Sequence, residues 1–193
     1  MIKNYLNFLR EIERLKTIER SNRTSNLDRG ESDAEHIWHL TMMVYLFCEE
    51  RPSLDKWKSV KLALVHDLVE VYAGDVQFWD QNKETLKEKE EKERQSAEKL
   101  FGLLPEKTRE EFLNLWEEYE RRNTDEAKFV YALDKLQPLL QRVQSKDHVW
   151  KEKKIDREKL VEYKNELISA DIELSEIWGD LVDEAVKNDL FWK

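Results

Sequence analysis

The stretch Val60-Lys61-Leu62-Ala63-Leu64-Val65-His66-Asp67-Leu68-Val69-Glu70 carries the reading of the fold. A run so apolar predicts a buried helix, placed at about residues 55–72, and an ionised carboxylate inside one is costly unless a cation meets it. Imidazole beside carboxylate is a ligand pair suited to Mn, Co, Fe, Ni or Zn. On a regular helix Asp67 lies ~100° and Glu70 ~40° from His66, so the three share one flank. Glu70 is displaced by ~6 Å along the axis, which suits contact with a water or substrate oxygen better than ligation. In isolation the pair also fits a core histidine beside an ion-paired aspartate, and the rest of the chain has to decide.

Upstream, Ile2, Tyr5, Leu6, Leu9, Ile12 and Leu15 recur at helical steps and predict an amphipathic helix over about 2–16. The polar stretch from Ile18 to Gly30, with Arg20, Arg23 and Arg29, is expected to be a substrate loop. Ser32-Asp33-Ala34-Glu35 has capping-box spacing and starts a helix to about Glu50, in which Glu35 caps and His36, Leu40, Met43 and Phe47 form the inward face. His39 points away from that face.

Downstream, Gly74 fits a helix C-terminus, and Asp75 stands where its carboxylate could return over the site or satisfy turn amides. The charge-dense segment Lys83 to Leu100 reads as a solvated helix. A helix restarting at Pro105 buries Phe112, Leu113, Leu115, Trp116 and Tyr119. Asp125 can cap the next one, where Phe129, Val130, Ala132, Leu133, Leu136 and Leu140 surround the lone acid Asp134. Lys135 points ~100° away from Asp134 and is an imperfect partner. Pro138 should kink this helix unless its missing donor is tolerated near the end. The tail, about 156–190, predicts one or two amphipathic helices before Leu190-Phe191-Trp192, which packs on the body or on a second subunit.

With only four Gly and three Pro, and no strand alternation, the composition predicts an all-α fold. The 193 residues suit a single domain spanning 1–193, with a core over about 6–145 and C-terminal helices over about 156–190. A net charge of −9 disfavours a nucleic-acid polymer as partner. The lone Cys48 excludes an internal disulfide, and neither a signal peptide nor a membrane-length apolar run is visible. These features predict a soluble cytoplasmic protein with no membrane partner.

Together His36, His66, Asp67 and Asp134 come from three helices, each beside or within an apolar face. Two nitrogen and two oxygen donors suit a six-coordinate ion with positions left for water and substrate. In this pattern the chain resembles the HD-domain metal-dependent phosphohydrolases, most closely their 5′-deoxynucleotidase branch and its relatives. The resemblance rests on Leu15-Lys16-Thr17-Ile18-Glu19-Arg20, Glu31-Ser32-Asp33-Ala34-Glu35-His36, Leu64-Val65-His66-Asp67-Leu68-Val69-Glu70, Ala73-Gly74-Asp75 and Ala132-Leu133-Asp134-Lys135-Leu136, in order and spacing. It implies an HD-domain helical bundle, often a homodimer, in which His36, His66, Asp67 and Asp134 bind the metal. Glu70 and Asp75 then assist the attacking water and the leaving group, and Arg20 holds the phosphate, with Arg23 and Lys135 as auxiliaries. Two departures stand out: Val76-Gln77-Phe78-Trp79-Asp80 replaces the branch's proline- and threonine-containing segment beside the nucleoside, and Ser21 replaces its tryptophan.

HD enzymes with two-metal sites generally use additional histidines, and after His36 and His66 only His39 and His148 remain, so the resemblance implies one divalent ion (Mn, Co, Ni, Fe, Mg or Zn) and argues against cyclic-dinucleotide cleavage. The expected reaction is hydrolysis of a small phosphomonoester, foremost a (deoxy)nucleoside 5′-monophosphate. Another small phosphate substrate or a non-catalytic metal-stabilised module remain the alternatives. The spare carboxylates Glu70 and Asp75 disfavour the second, because a closed structural site needs none. A ferritin-like site is set aside, since neither His36 nor His66 has Glu three residues before it.

Overall fold

The computed structural model describes residues 2–26, 29–75, 79, 83–164 and 166–193. The expected all-α architecture is observed, with one small sheet in addition. Helix α1 (Ile2–Ile12) runs into a 3-10 turn over Glu13–Thr17. Its buried side is Phe8 and Leu15, with Tyr5 and Ile12 packed beside them, whereas Ile2, Leu6 and Leu9 of the predicted stripe are exposed.

The polar stretch expected as a loop instead folds into an antiparallel hairpin, β1 (Glu19–Arg23) with β2 (Gly30–Ser32), pairing Glu19 with Ser32 and Arg23 with Gly30 across an irregularity in register. Its strands carry no apolar alternation because they are held from outside by polar groups. The Arg23 amide donates to Asp147 Oδ2 at 3.1 Å, the Arg23 carbonyl accepts from Gln141 Nε2 at 2.8 Å, and Arg142 bonds Asn22 and Asp147.

The predicted capping box opens α2 (Asp33–Phe47): Ser32 Oγ accepts from the Glu35 amide, and Glu35 Oε2 accepts from the Ser32 amide at 2.9 Å. A bidentate Arg29, 2.5 and 2.8 Å from the carboxylate oxygens, draws the Glu35 carboxyl down to about 2. His36, Leu40 and Met43 are buried along this helix as expected.

The helix expected to run unbroken to residue 72 ends earlier. After α3 (Lys56–Val65), residues 66–69 form turns before a short α4 (Glu70–Ala73). The cause is local. His66 Nδ1 donates to Ala63 O at 2.9 Å, occupying the carbonyl that a continuing α-helix would offer to the Asp67 amide. The backbone tightens to three-residue bonds, Leu68 to Val65 at 3.2 Å and Glu70 to Asp67 at 3.0 Å. Residues three apart eclipse in such a turn, so Asp67 and Glu70 lie over one another. Gly74, at φ +76° and ψ 158°, closes the segment in a conformation that a side chain would strain.

The remaining helices are α5 (Lys83–Phe101), α6 (Glu106–Arg121), α7 (Asp125–Ser145), α8 (Val149–Glu152), α9 (Arg157–Tyr163), α10 (Glu166–Ala170) and α11 (Ile172–Lys187). The tail thus holds more helices than the one or two expected, and Leu190 and Phe191 pack on the body, Phe191 stacking on Trp150 at 4.8 Å. The cap of α7 is Thr124, whose side chain accepts from the Ala127 amide; Asp125 is already the first helical residue. Pro138 lies inside α7, which continues as helix to Ser145. This helix packs against α2, α3, α6, α10 and α11, making it the axis of the bundle. Among the described residues no helix is long and apolar enough to cross a membrane.

Candidate metal centre

His36 from α2, His66 and Asp67 from the turn after α3, and Asp134 from α7 each offer one ligand atom, all within 4.8 Å of one another. His66 Nε2 lies 3.0 Å from Asp67 Oδ2 and 3.6 Å from Asp134 Oδ1; His36 Nε2 lies 3.0 Å from Asp134 Oδ1 and 3.6 Å from Asp67 Oδ2.

The other ring nitrogens fix what these atoms can be. His36 Nδ1 donates to Gln137 Oε1 at 2.7 Å, and His66 Nδ1 donates to a carbonyl. The Gln137 orientation is set in turn by its amide group, which donates to Glu31 Oε1 at 2.8 Å and to His39 Nδ1 at 3.1 Å. Both Nδ1 atoms therefore carry the proton, and both Nε2 lone pairs face carboxylate oxygens. Buried lone pairs converging in this way need a cation between them, and His66 Nε2 has no hydrogen-bond donor of its own. The donor set fits a divalent ion of the borderline-hard class, held by imidazoles whose outer nitrogens are already oriented. His39 is outside the set.

Without that ion, charge accumulates. Burial opposes a charge on His66, but the carboxylates of Asp67 and Asp134 outweigh it and raise its pKa to about 10. Burial likewise opposes ionisation of Asp134, yet Lys135 and the two imidazoles hold it well below the usual carboxylate range. Lys135 is a better partner than its sequence position suggested: Nζ reaches Asp134 Oδ2 at 3.0 Å, and Tyr119 donates to the same oxygen at 2.9 Å. One Asp134 oxygen is thus tied back while Oδ1 faces the imidazoles.

Arg20 of β1 reaches into the site. Its Nη1 lies 3.2 Å from Asp67 Oδ2, 3.5 Å from Asp33 Oδ1 and 3.9 Å from Glu70 Oε2. Glu70 is buried, and its carboxyl is pushed well up by that burial and by the neighbouring charges of Asp67 and Asp33; Oε2 has no hydrogen-bond donor. Asp33, also fully buried, is pushed up to about 6 by burial against the pull of Arg20. It was not singled out in the sequence because the first turn of a helix is an ordinary place for an acid.

These groups border a cavity of about 270 Å³ whose lining includes Arg20, His66, Asp67, Glu70, Asp75 and Asp134. Lys135 also lines it, whereas Arg23 does not and ties the hairpin down through its backbone. Several lining residues escaped the sequence reading, among them the following. Lys89 and Glu93 belong to the helix expected to be wholly solvated; Arg142 is buried on Asp147; and Tyr163 and Trp178 come from the tail. The substituted segment at Val76–Phe78 and Asp80 lies outside the described residues, but Trp79 lines the cavity.

The HD domain family profile matches residues 12–178. The chain is 36% identical over 146 residues to human 5′-deoxynucleotidase HDDC2, covering 75% of this chain and 70% of that one. The Dictyostelium discoideum 5′-deoxynucleotidase HDDC2 is 34% identical over 145 residues, covering 72% and 75%. Among solved structures, a predicted metal-dependent phosphohydrolase from Magnetospirillum magnetotacticum superposes with a TM-score of 0.87 at 36% identity, covering 100% of this chain and 98% of that one. An HD-domain phosphohydrolase from Listeria innocua shares the fold, with a TM-score of 0.65 at 19% identity over 95% and 86% of the two chains. With its four-donor cluster, its buried carboxylates and these relatives, the chain belongs to the HD domain family and is a metal-dependent phosphohydrolase of that superfamily.

Proposed function

We propose that this enzyme hydrolyses a nucleoside 5′-monophosphate, with preference for the 2′-deoxy form, to nucleoside and inorganic phosphate. The carrying observation is the convergence of four ligand atoms, three of them from residues that line one small cavity together with an arginine and a buried carboxyl oxygen without a donor. His36 Nε2, His66 Nε2, Asp67 and Asp134 Oδ1 are assigned to one divalent ion, for which Mn or Co is a suitable choice. Such an ion, when bound, polarises a phosphoryl oxygen and acidifies water.

The chain's own groups do the rest. Burial and the Asp67 and Asp33 charges favour the neutral form of Glu70, and a divalent cation at the four-atom cluster would offset those charges and free Glu70 to accept the proton of the attacking water. Asp75, on the cavity wall after Gly74, assists the leaving 5′ oxygen, which takes up a proton as its bond to phosphorus breaks. Arg20 Nη1, held among carboxylates, balances the incoming phosphoryl charge with Lys135 as auxiliary. Arg23, off the cavity, is left out of this role. Tyr131, Tyr163 and Trp178 supply ring surface for the nucleoside. In a cavity of about 270 Å³, a 2′-hydroxyl packed against such a wall is left unpaired, which favours the deoxy form. The deoxynucleotidase names of the human and Dictyostelium relatives support the same substrate.

Residues 1–193 are read as one domain in the cytoplasm: the tail contributes Tyr163 and Trp178 to the cavity, and the single Cys48 is buried and free. The exposed apolar face of Trp38, Met42, Tyr45 and Leu46 on α2, with Trp57 nearby, supports pairing with a second copy.

The test is phosphate release from ribo- and deoxyribonucleoside mono- and triphosphates and simple phosphomonoesters, with Mn or Co. Deoxynucleoside monophosphates should turn over fastest, and triphosphates should yield no tripolyphosphate. Equal rates on ribose and deoxyribose forms remove the deoxy preference. Tripolyphosphate release, or no monophosphate turnover, moves the enzyme to another small phosphate.

A further inference from the structure

Helix α5 carries an ion pair that its fold does not account for. Lys89 Nζ lies 3.0 Å from Glu93 Oε1, one turn along the helix; the Glu93 side chain is 7% exposed and that of Lys89 28%. Both line the cavity of the metal centre, as does Leu86, and farther along α5 Ala97 and Leu100 are fully buried. The pair thus continues the core-facing side of α5 into the site.

As a stabilising device it is poor. An exposed pair at this spacing gains only ~0.2–0.5 kcal/mol, and lysine before glutamate is the weaker order. Burying the pair adds a desolvation cost that the attraction seldom repays. Burial does push the Glu93 carboxyl up, against the pull of Lys89. Beyond Glu93, Lys89 also senses the charges of Glu70 and Asp67.

The neighbouring cations each face groups of the centre or of the hairpin's anchorage. Arg20 Nη1 faces three acids, Lys135 Nζ ties back Asp134 Oδ2, and Arg142 is locked on Asp147 and Asn22. Lys89 differs from these three in that its one close carboxylate partner, Glu93, has no other role at the centre or in the hairpin's anchorage. An ammonium group has three donors. Glu93 can keep one while the others turn to an anion.

We infer that Lys89, positioned by Glu93, is a further phosphate-binding cation of this cavity beside Arg20 and Lys135, taking a non-bridging oxygen of the substrate's phosphoryl group. The inference rests on the phosphohydrolase reading and names a residue that reading does not use. Glu93 is then a positioning residue, holding the ammonium near the site between turnovers.

Calorimetric titration of inorganic phosphate into the Mn-loaded full chain tests it. Lys89→Met should weaken phosphate binding about tenfold or more, ~1.4 kcal/mol. Lys89→Arg, which keeps the charge, should stay within about threefold. Metal content and Tm should be unchanged in both, and Lys89→Gln supplies the same readout with a polar head. Glu93→Gln should raise the KM for a monophosphate severalfold with kcat within about twofold, a split that a merely structural role would not produce. Phosphate binding to Lys89→Met and Lys89→Gln as tight as to the wild type overturns the inference. A wild type that binds no phosphate removes the proposed phosphomonoester substrate as well, and that signature is distinct.

Discussion

Replacing Gln137 with Met tests whether the centre depends on groups that never touch the ion. Gln137 is fully buried and spans His36 Nδ1 at 2.7 Å, Glu31 Oε1 at 2.8 Å and His39 Nδ1 at 3.1 Å. Met fills a similar volume but offers no acceptor to His36 and no donor to Glu31. Leaving one buried polar atom unpaired costs ~1–3 kcal/mol, so the metal-free protein should lose roughly 2 kcal/mol or more. The effect on metal is separate. With Nδ1 no longer held as the donor, the ring samples the tautomer whose proton sits on Nε2, and its orientation loosens. Loss of such an outer partner lowers metal affinity ~10–100-fold, or ~1.4–2.8 kcal/mol. Titration of Mn into metal-free Gln137→Met and wild type, with melts of both, measures the two parts independently. Affinity within about twofold of the wild type would refute the claim that Gln137 sets the His36 tautomer.

Two further outcomes follow from the buried acids. Glu70→Gln should abolish turnover while metal content and Tm stay close to wild type, since Glu70 is outside the four-atom cluster; loss of metal on elemental analysis would make Glu70 a ligand instead. Asp33 has a folded-state pKa of about 6, above its ordinary 3.8, so the folded state binds its proton more tightly and its contribution to stability falls as pH rises from about 4 to 6. Metal-free Asp33→Asn should therefore lose this part of the pH dependence, a difference of at most ~3 kcal/mol from the wild type in denaturant melts at pH 4 and 7. Identical slopes in the two proteins would contradict the placement of that charge.

The four clustered residues were legible because each is a polar anomaly in an apolar setting: His66-Asp67 within residues 60–69, Asp134 among residues 129–140, and His36 at the head of an inward stripe. The capping box at Ser32 was legible for a similar reason, since side-chain identity and spacing fix its hydrogen bonds. Features built from tertiary polar contacts were not. The hairpin at Glu19–Ser32 has no apolar period, and its anchors, Gln141, Arg142 and Asp147, lie more than a hundred residues away. The break at His66 depends on a side-chain bond to Ala63 O, which a helical period cannot reveal. Lys89 and Glu93 were hidden by numbers: in a helix with charges on every side, composition does not say which pair faces inward. Lys135 was misjudged from its angle alone, because a long flexible side chain can bend back to the carboxylate of the preceding residue.

The central claim is that His36, His66, Asp67 and Asp134 hold a divalent ion, and elemental analysis of the purified wild type beside His66→Ala tests it most directly. The account predicts about one transition-metal ion per chain in the wild type and none in the variant, which should also melt lower because an ion bound only to the folded state stabilises it. Equal metal content in the two proteins would contradict it, as would a metal-free wild type whose melting temperature does not rise with Mn, Co or Ni.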